Sequence, residues 1–518
     1  MDLLAPLPAR DFSPYAAAHL LWRAGFGGTW KEAEELAALG LDGAVDRLVN
    51  YRRSTGLKAP PCAEPLKESH RVFEERVRAL PDEREREKER QVRRETEQRN
   101  IRELQIWWLD RFLASSPSHE TIHPLEEKLT LFWHSHFATG FQDKIEETHP
   151  IWQQNQTFRE LALAAFPDQL LAVIHDPAML VWLDNAASHR GHPNENFARE
   201  LMELFSTGVG HYSETDVKES ARALTGYGVD REKWTFAFRE DAHDSAEKSF
   251  LGQSGRFGGD DIVRIITEQP ATAKFMTRKI LDAFVCTQPG EDLVEPVADL
   301  YRASGYDLKA LFHTLFRSQL FYSAQAMNSV VKSPVLLAIG ALKGMRAKLP
   351  AEELILGALR VMGQNLFFPP DVNGWPGGGD WINSNTLLVR YNFANFLMHG
   401  VSPDEFKTFD RQVNRGGNRR TFLETQRNPD AVDWSPKKQM MSDGAVRPVL
   451  SNKDIANHFL REFLQREPPR DLSDAITQLA GTDGSGGRRS MSVEDVNFDE
   501  RARGLVHLIM SSPDYQLC

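Results

Sequence analysis

Cysteine is scarce: three residues in 518, at positions 62, 286 and 518, too few and too far apart for a disulfide framework or a zinc cluster. Cys286, inside DAFVCTQPG, reads as a packed thiol rather than a nucleophile. No apolar run approaches the ~18 residues of a membrane span. The opening MDLLAPLPARDFSPY has no basic stretch followed by an apolar one, so a cytoplasmic location is the expectation. A surplus of positive charge is missing too. The 62 Lys and Arg against 73 Asp and Glu give a net charge of −11, which argues against a nucleic-acid binder. The stretch GQSGRFGGDD lacks the Lys-Ser/Thr pair of a phosphate-binding loop, and no clear strand leads into it as a dinucleotide fold requires.

What is present is helical periodicity and enough apolar residues, 41%, for a large core. Length alone sets a prior of about three domains, softened because helical architectures run long. The pattern predicts an all-α fold: a large multi-helix body with short β-hairpin excursions and a projecting charged helical arm. Residues 1–65 read as N-terminal helices of the body and 66–114 as the arm, in which Asp82 to Asn100 has almost no apolar stripe. Residues 115–400 read as the core helical domain, and 401–518 as a polar loop followed by C-terminal helices that pack on it. Hairpin character is expected in Trp234–Asp261, loops in 402–450 and 481–494. HTLFRS (313–318) parallels HLIMSS (507–512), which suggests a duplicated helical unit.

The chain is organised around PNENFARELMELFSTGVGHYSETDVKESARALTGYG, residues 193–228, a helix, a Gly-rich turn and a second helix. Phe197, Ala198, Leu201, Leu204 and Phe205 share one side. Asn196, Glu200, Glu203 and Thr207 form a polar row. Arg199 is spaced to bridge Glu195 and Glu203, and Arg222 is the candidate partner of Glu200. Ser213 and Asp216 make a capping box. Upstream, FWHSHFATG carries His134 and His136, about 200° apart if the helix continues and able to reach one point only if it ends near Ser135. Downstream, His243-Asp244 is a candidate orienting pair, since a carboxylate fixes an imidazole tautomer. The Pro-, Gly- and Trp-rich loop around Asn373, Trp375 and Trp381 is expected either to wall a pocket or to be a rigid connector.

FWHSHFATG, HDPAMLVWLDNAAS, the organising stretch, PATAKFMTRKILDAFV, KSPVLLAIGALKGM and NGWPGGGDWINSNTLL together resemble the bacterial family called domain of unknown function 1800, in the family's order and over essentially the whole chain. The resemblance implies a mostly helical protein, no settled activity and a frequent association with domain of unknown function 1501, a possible protein partner. Many members carry export signals, which this chain does not show. The family's motif positions carry over to His134, His136, Asn194, Glu195, Asn196, Arg199, Glu200, Glu203, Gly208, Asp216, Arg222, Thr225, Gly226, His243 and Asp244. The pattern commonly has His and Thr where this chain has Phe205 and Thr207.

Three readings stay open. One is an enzyme whose catalytic residues come from His134, His136, Glu200, Glu203, Arg222, His243 and Asp244. In that reading His134, His136, Glu200 and Glu203 are candidate ligands for a divalent transition metal, or a general acid and base without one. The second is a non-catalytic helical scaffold that holds a partner protein, its polar row a buried salt-bridge network. The third uses Trp375 and Trp381 as a sugar platform beside paired carboxylates.

Overall fold

The computed structural model describes residues 3–54, 56–142, 144–400, 432–444, 450–482 and 490–518. Ser13 caps α1 (Pro14–Arg23) and Thr29 closes a capping box with Glu32 at the start of α2 (Trp30–Ala38), which leads into α3 (Gly40–Val49). The charge-dense segment forms α4 (His70–Arg78) and the 32-residue α5 (Glu83–Ala114). Its first half is exposed, as the missing apolar stripe predicts. Its second half is not: Ile101, Leu104, Trp108, Leu109 and Phe112 are buried in the body. The solvated part of the arm therefore ends near residue 97, where apolar residues begin to recur at helical spacing.

Next come α6 (Pro124–His136), α7 (Thr148–Glu160), α8 (Phe166–Ile174), α9 (Pro177–Trp182), α10 (Glu195–Glu203) and α11 (Glu214–Ala223). Two antiparallel hairpins follow, β1 (Tyr227–Asp230) with β2 (Thr235–Phe238), and β3 (Lys248–Phe250) with β4 (Gln253–Gly255). After them run α12 (Gly259–Glu268), α13 (Pro270–Phe284), α14 (Glu291–Ala303), α15 (Leu308–Arg317), α16 (Pro334–Met345), α17 (Glu352–Val361) and α18 (Ser384–His399). Most of 402–450 and half of 481–494 lie outside the described residues; within the former, α19 (Pro436–Ser442) is helical. The C-terminal helices are α20 (Asn452–Phe459), α21 (Arg470–Ala480) and α22 (Phe498–Met510).

The buried apolar residues form two cores. The first gathers residues between 12 and 326; the second gathers α16 to α22 with the second half of α5. Four helices, α1, α6, α7 and α9, serve both. In α1, Leu20 and Leu21 enter the first core and Trp22 the second; in α6, Leu129 and Trp133 enter the first and Leu131 the second. A helix buried on opposite sides has no solvent face for its polar residues, and this decides the fate of the two histidines on α6.

Candidate functional site

The helix α6 runs through His136 without breaking at Ser135, so the two histidines point to opposite sides. His134 faces the second core, its ring 5.0 Å from Trp108, 5.0 Å from Phe158 and 5.5 Å from Phe367. Neither of its ring nitrogens has a hydrogen-bond partner. Burial, with the Arg159 charge adding to it, pushes its pKa down to about 3. His136 faces the first core and donates from Nε2 to the Phe205 carbonyl at 3.0 Å. Burial, reinforced by Lys279 and opposed by that hydrogen bond, brings it to about 3 as well. The convergence of both histidines on one point, expected if the helix stopped early, is therefore corrected.

The acidic row on α10 is half-buried, not enclosed. Tyr212 donates to the Glu203 carboxylate at 2.7 Å. Burial raises the Glu200 pKa, the neighbouring Glu203 raises it further, and Arg199 lowers it. Arg199 does not bridge Glu195 and Glu203. It lies 3.8 Å from Glu195 and grips Glu214 with two bonds of 2.8 Å, because α11 packs against α10 and brings its first turn alongside. Asp216 caps α11 as its spacing predicts.

Arg222 does not pair with Glu200 either. Its Nε donates to Asp244 at 2.7 Å and its Nη1 to Glu219 at 2.8 Å. That guanidinium holds the Asp244 carboxyl below its usual range. Asp244 consequently does not orient His243, whose Nδ1 donates to the Thr225 carbonyl at 2.8 Å. His243 is extended, so adjacent side chains point to opposite sides of the chain. The group pins the loop ahead of β3 onto α11. Among the described residues, no three His, Cys, Asp or Glu side chains stand close enough together to hold a metal ion.

The glycine-rich loop after α17 is a packed connector. At Gly374, with φ +85°, a Cβ would come 2.0 Å from the Ser135 carbonyl oxygen, so only glycine allows this loop to close on the end of α6. Trp375 is buried and donates to the Asn365 carbonyl at 3.1 Å.

Two polar constellations went unnoticed in the sequence. Glu127, fully buried on α6, accepts from Arg111 (2.8 Å), from Arg159 (2.9 and 3.0 Å) and from Trp108 (3.0 Å). Burial pushes its carboxyl up, but Arg159 and Arg111 outweigh it and hold it below the ordinary value. The signal was available: Glu127, Leu131 and His134 share one face, so an acid stood in an apolar stripe. The second is Asp176, which caps α9 through the Met179 N–H (2.7 Å) and accepts from Gln154 (2.9 Å). Burial raises it to about 7 against those hydrogen bonds.

A cleft of about 600 Å³ opens between the charged helices α4 and α5 and the body. Phe73, Arg90 and Arg93 line it from α4 and α5, Glu147 from the loop before α7, and Arg231 and Trp234 from the β1–β2 turn. The Arg93 guanidinium lies 4.7 Å from the Phe73 ring centroid, and that of Arg231 lies 4.8 Å from the Trp234 ring centroid. Trp234 has φ +49°, an uncommon conformation for a bulky residue, and its Nε1 donates to Glu147 at 3.1 Å.

A family model described as "Protein of unknown function (DUF1800)" matches residues 19–517. No curated protein and no solved structure matches the chain.

Proposed function

The chain belongs to the DUF1800 family, a description that carries no activity, and from its own geometry we propose a non-catalytic scaffold that holds a second protein in the cleft between the charged helices α4 and α5 and the body. The observation that carries this reading is the cleft itself. It is walled by cation-stacked aromatics and by Arg and Glu side chains of both signs, a surface suited to a charged polypeptide segment. The strained Trp234 supports it, since such backbone persists where the surroundings hold it and clusters at binding sites. The residues expected to do chemistry support it from the other side. Several of them already have a structural role, His136 with the Phe205 carbonyl, Glu203 with Tyr212, Arg222 with Asp244. The partner class is the one the family resemblance suggests, a domain of unknown function 1501 protein.

The test is titration of such a protein from the same genome against the purified chain and its Arg231→Glu variant. Arg231 is exposed, so the variant should keep its fold while losing about tenfold or more in affinity. Equal binding by both would remove the cleft from the proposal. Stoichiometric metal in the purified protein, lost in His134→Ala, would restore the enzyme reading.

A further inference from the structure

A separate cavity of about 390 Å³ lies where α3 ends and α6 begins, and it shares no lining residue with the cleft. Its volume falls in the ~300–1,000 Å³ range of small-molecule sites. Asp46 and Arg47 line it from α3, Tyr51 and Arg52 from the residues just beyond. His119 and Glu120 come from the turn before α6, and His123 from that helix's N-cap.

Hydrogen bonds fix the tautomer of both imidazoles. His123 is 6% exposed and stacks on Tyr51, the ring centroids 4.5 Å apart and the planes at 11°. Its Nε2 meets the Arg47 carbonyl at 3.1 Å. A carbonyl only accepts, so Nε2 carries the proton and Nδ1 is a bare lone pair, which has no partner. Burial, opposed by that hydrogen bond and helped by the Arg47 charge, lowers the pKa to about 4, so the ring is neutral at pH 7. A buried acceptor left unanswered in the wall of a cavity points to a donor that the chain does not supply. His119 is used the other way round. Its Nδ1 accepts from the Thr121 and Ile122 N–H groups at 3.2 and 3.1 Å, which leaves Nε2–H to donate.

Charges of both signs line the same space. Among the described residues, Arg47, Arg52 and Glu120 form no ion pair. Asp46 engages only Oδ1, with the Asn50 amide at 3.4 Å and His313 at 3.6 Å. The helix ends add partial charge of each sign, negative at the last carbonyls of α3 and positive at the first turn of α6. An anion alone would meet Asp46 and Glu120 there, and a cation alone would meet Arg47 and Arg52. A ligand that carries both charges answers both sets.

We propose that this cavity binds a zwitterion of free amino-acid size, its carboxylate on Arg47, Arg52 and His119 and its ammonium on Asp46, Glu120 and His123. Guanidinium groups suit the carboxylate because they donate two parallel bonds to it.

The experiment is equilibrium dialysis of the full chain at pH 7 against radiolabelled L-alanine, L-leucine and L-glutamate. N-acetyl-L-alanine, which lacks the ammonium, and L-alaninamide, which lacks the carboxylate, serve as competitors. The expected result is saturable binding of at least one of the three, with a Kd below about 1 mM and both blocked forms competing at least about tenfold less well than L-alanine. Arg52→Gln and Glu120→Gln should each weaken binding by about tenfold or more. Both side chains are exposed, so neither substitution threatens the fold. Absence of saturable binding by all three amino acids overturns the site. So does a blocked form that competes as well as L-alanine, since one charge would then suffice, and so does binding unchanged in both variants.

Discussion

His134 occupies an apolar slot with two polar atoms unanswered, which costs more than a hydrocarbon of similar shape would. His134→Leu should therefore raise stability by about 1–2 kcal/mol at pH 7, read as the urea midpoint; a fall would mean that the ring has a partner the packing does not reveal. The same variant tests linkage. A histidine with a folded pKa of about 3 against about 6.5 unfolded leaves stability intact above 6.5. As pH falls from there toward 3, the unfolded state takes up the proton first, and stability drops by up to ~1.4 kcal/mol per unit for each such group. His134→Leu should flatten that decline, with the His136 contribution remaining. Asp176 has the opposite sign. Its folded pKa near 7 lies above the unfolded value, so its contribution is full below about 3.8 and is lost as pH rises to 7. Asp176→Asn should gain on the native chain progressively across that window. A gain independent of pH would show that the carboxyl is already ionised in the fold.

At the scale of elements, Glu127 joins α5, α6 and α7 through one carboxylate. The salt-bridge network anticipated for the scaffold reading thus exists, but on α6 rather than on the acidic row of α10. Glu127→Ala leaves Arg111 and Arg159 buried without a counter-charge and should cost about 3–5 kcal/mol. Glu127→Gln should cost less, and equal loss from both would mean that packing, not charge, dominates there. The parallel between residues 313–318 and 507–512 has a structural counterpart. After α15, Ser318 donates to the Leu315 carbonyl and accepts from Phe321 N–H; after α22, Ser512 donates to Ile509 and accepts from Tyr515. Each serine folds the chain back so that an aromatic re-enters a core, Phe321 the first and Tyr515 the second.

For the molecule as a whole, the shared helices α1, α6, α7 and α9 decide how it comes apart. Unfolding either core strips Trp22 or Trp133 of its surroundings and exposes half of a helix the other core needs. Urea unfolding followed by tryptophan fluorescence and by helical circular dichroism should give coincident transitions. Separated midpoints would show that the two cores fold independently.

Helical periodicity, caps such as Thr29 and Ser213, the hairpin character near residue 240 and the unstriped arm up to Asn100 were all legible in the chain, because each depends on residues within a few positions of one another. The family, too, lies in the ordered motifs. The partners of the polar side chains were not legible. Which carboxylate meets Arg222, whether His134 reaches water and that Arg23 meets the Ala326 carbonyl depend on contacts between residues up to hundreds of positions apart. Periodicity says which face of a helix is apolar but not what packs on it. The fold alone placed a core on either side of α6 and so parted two histidines that the sequence sets side by side.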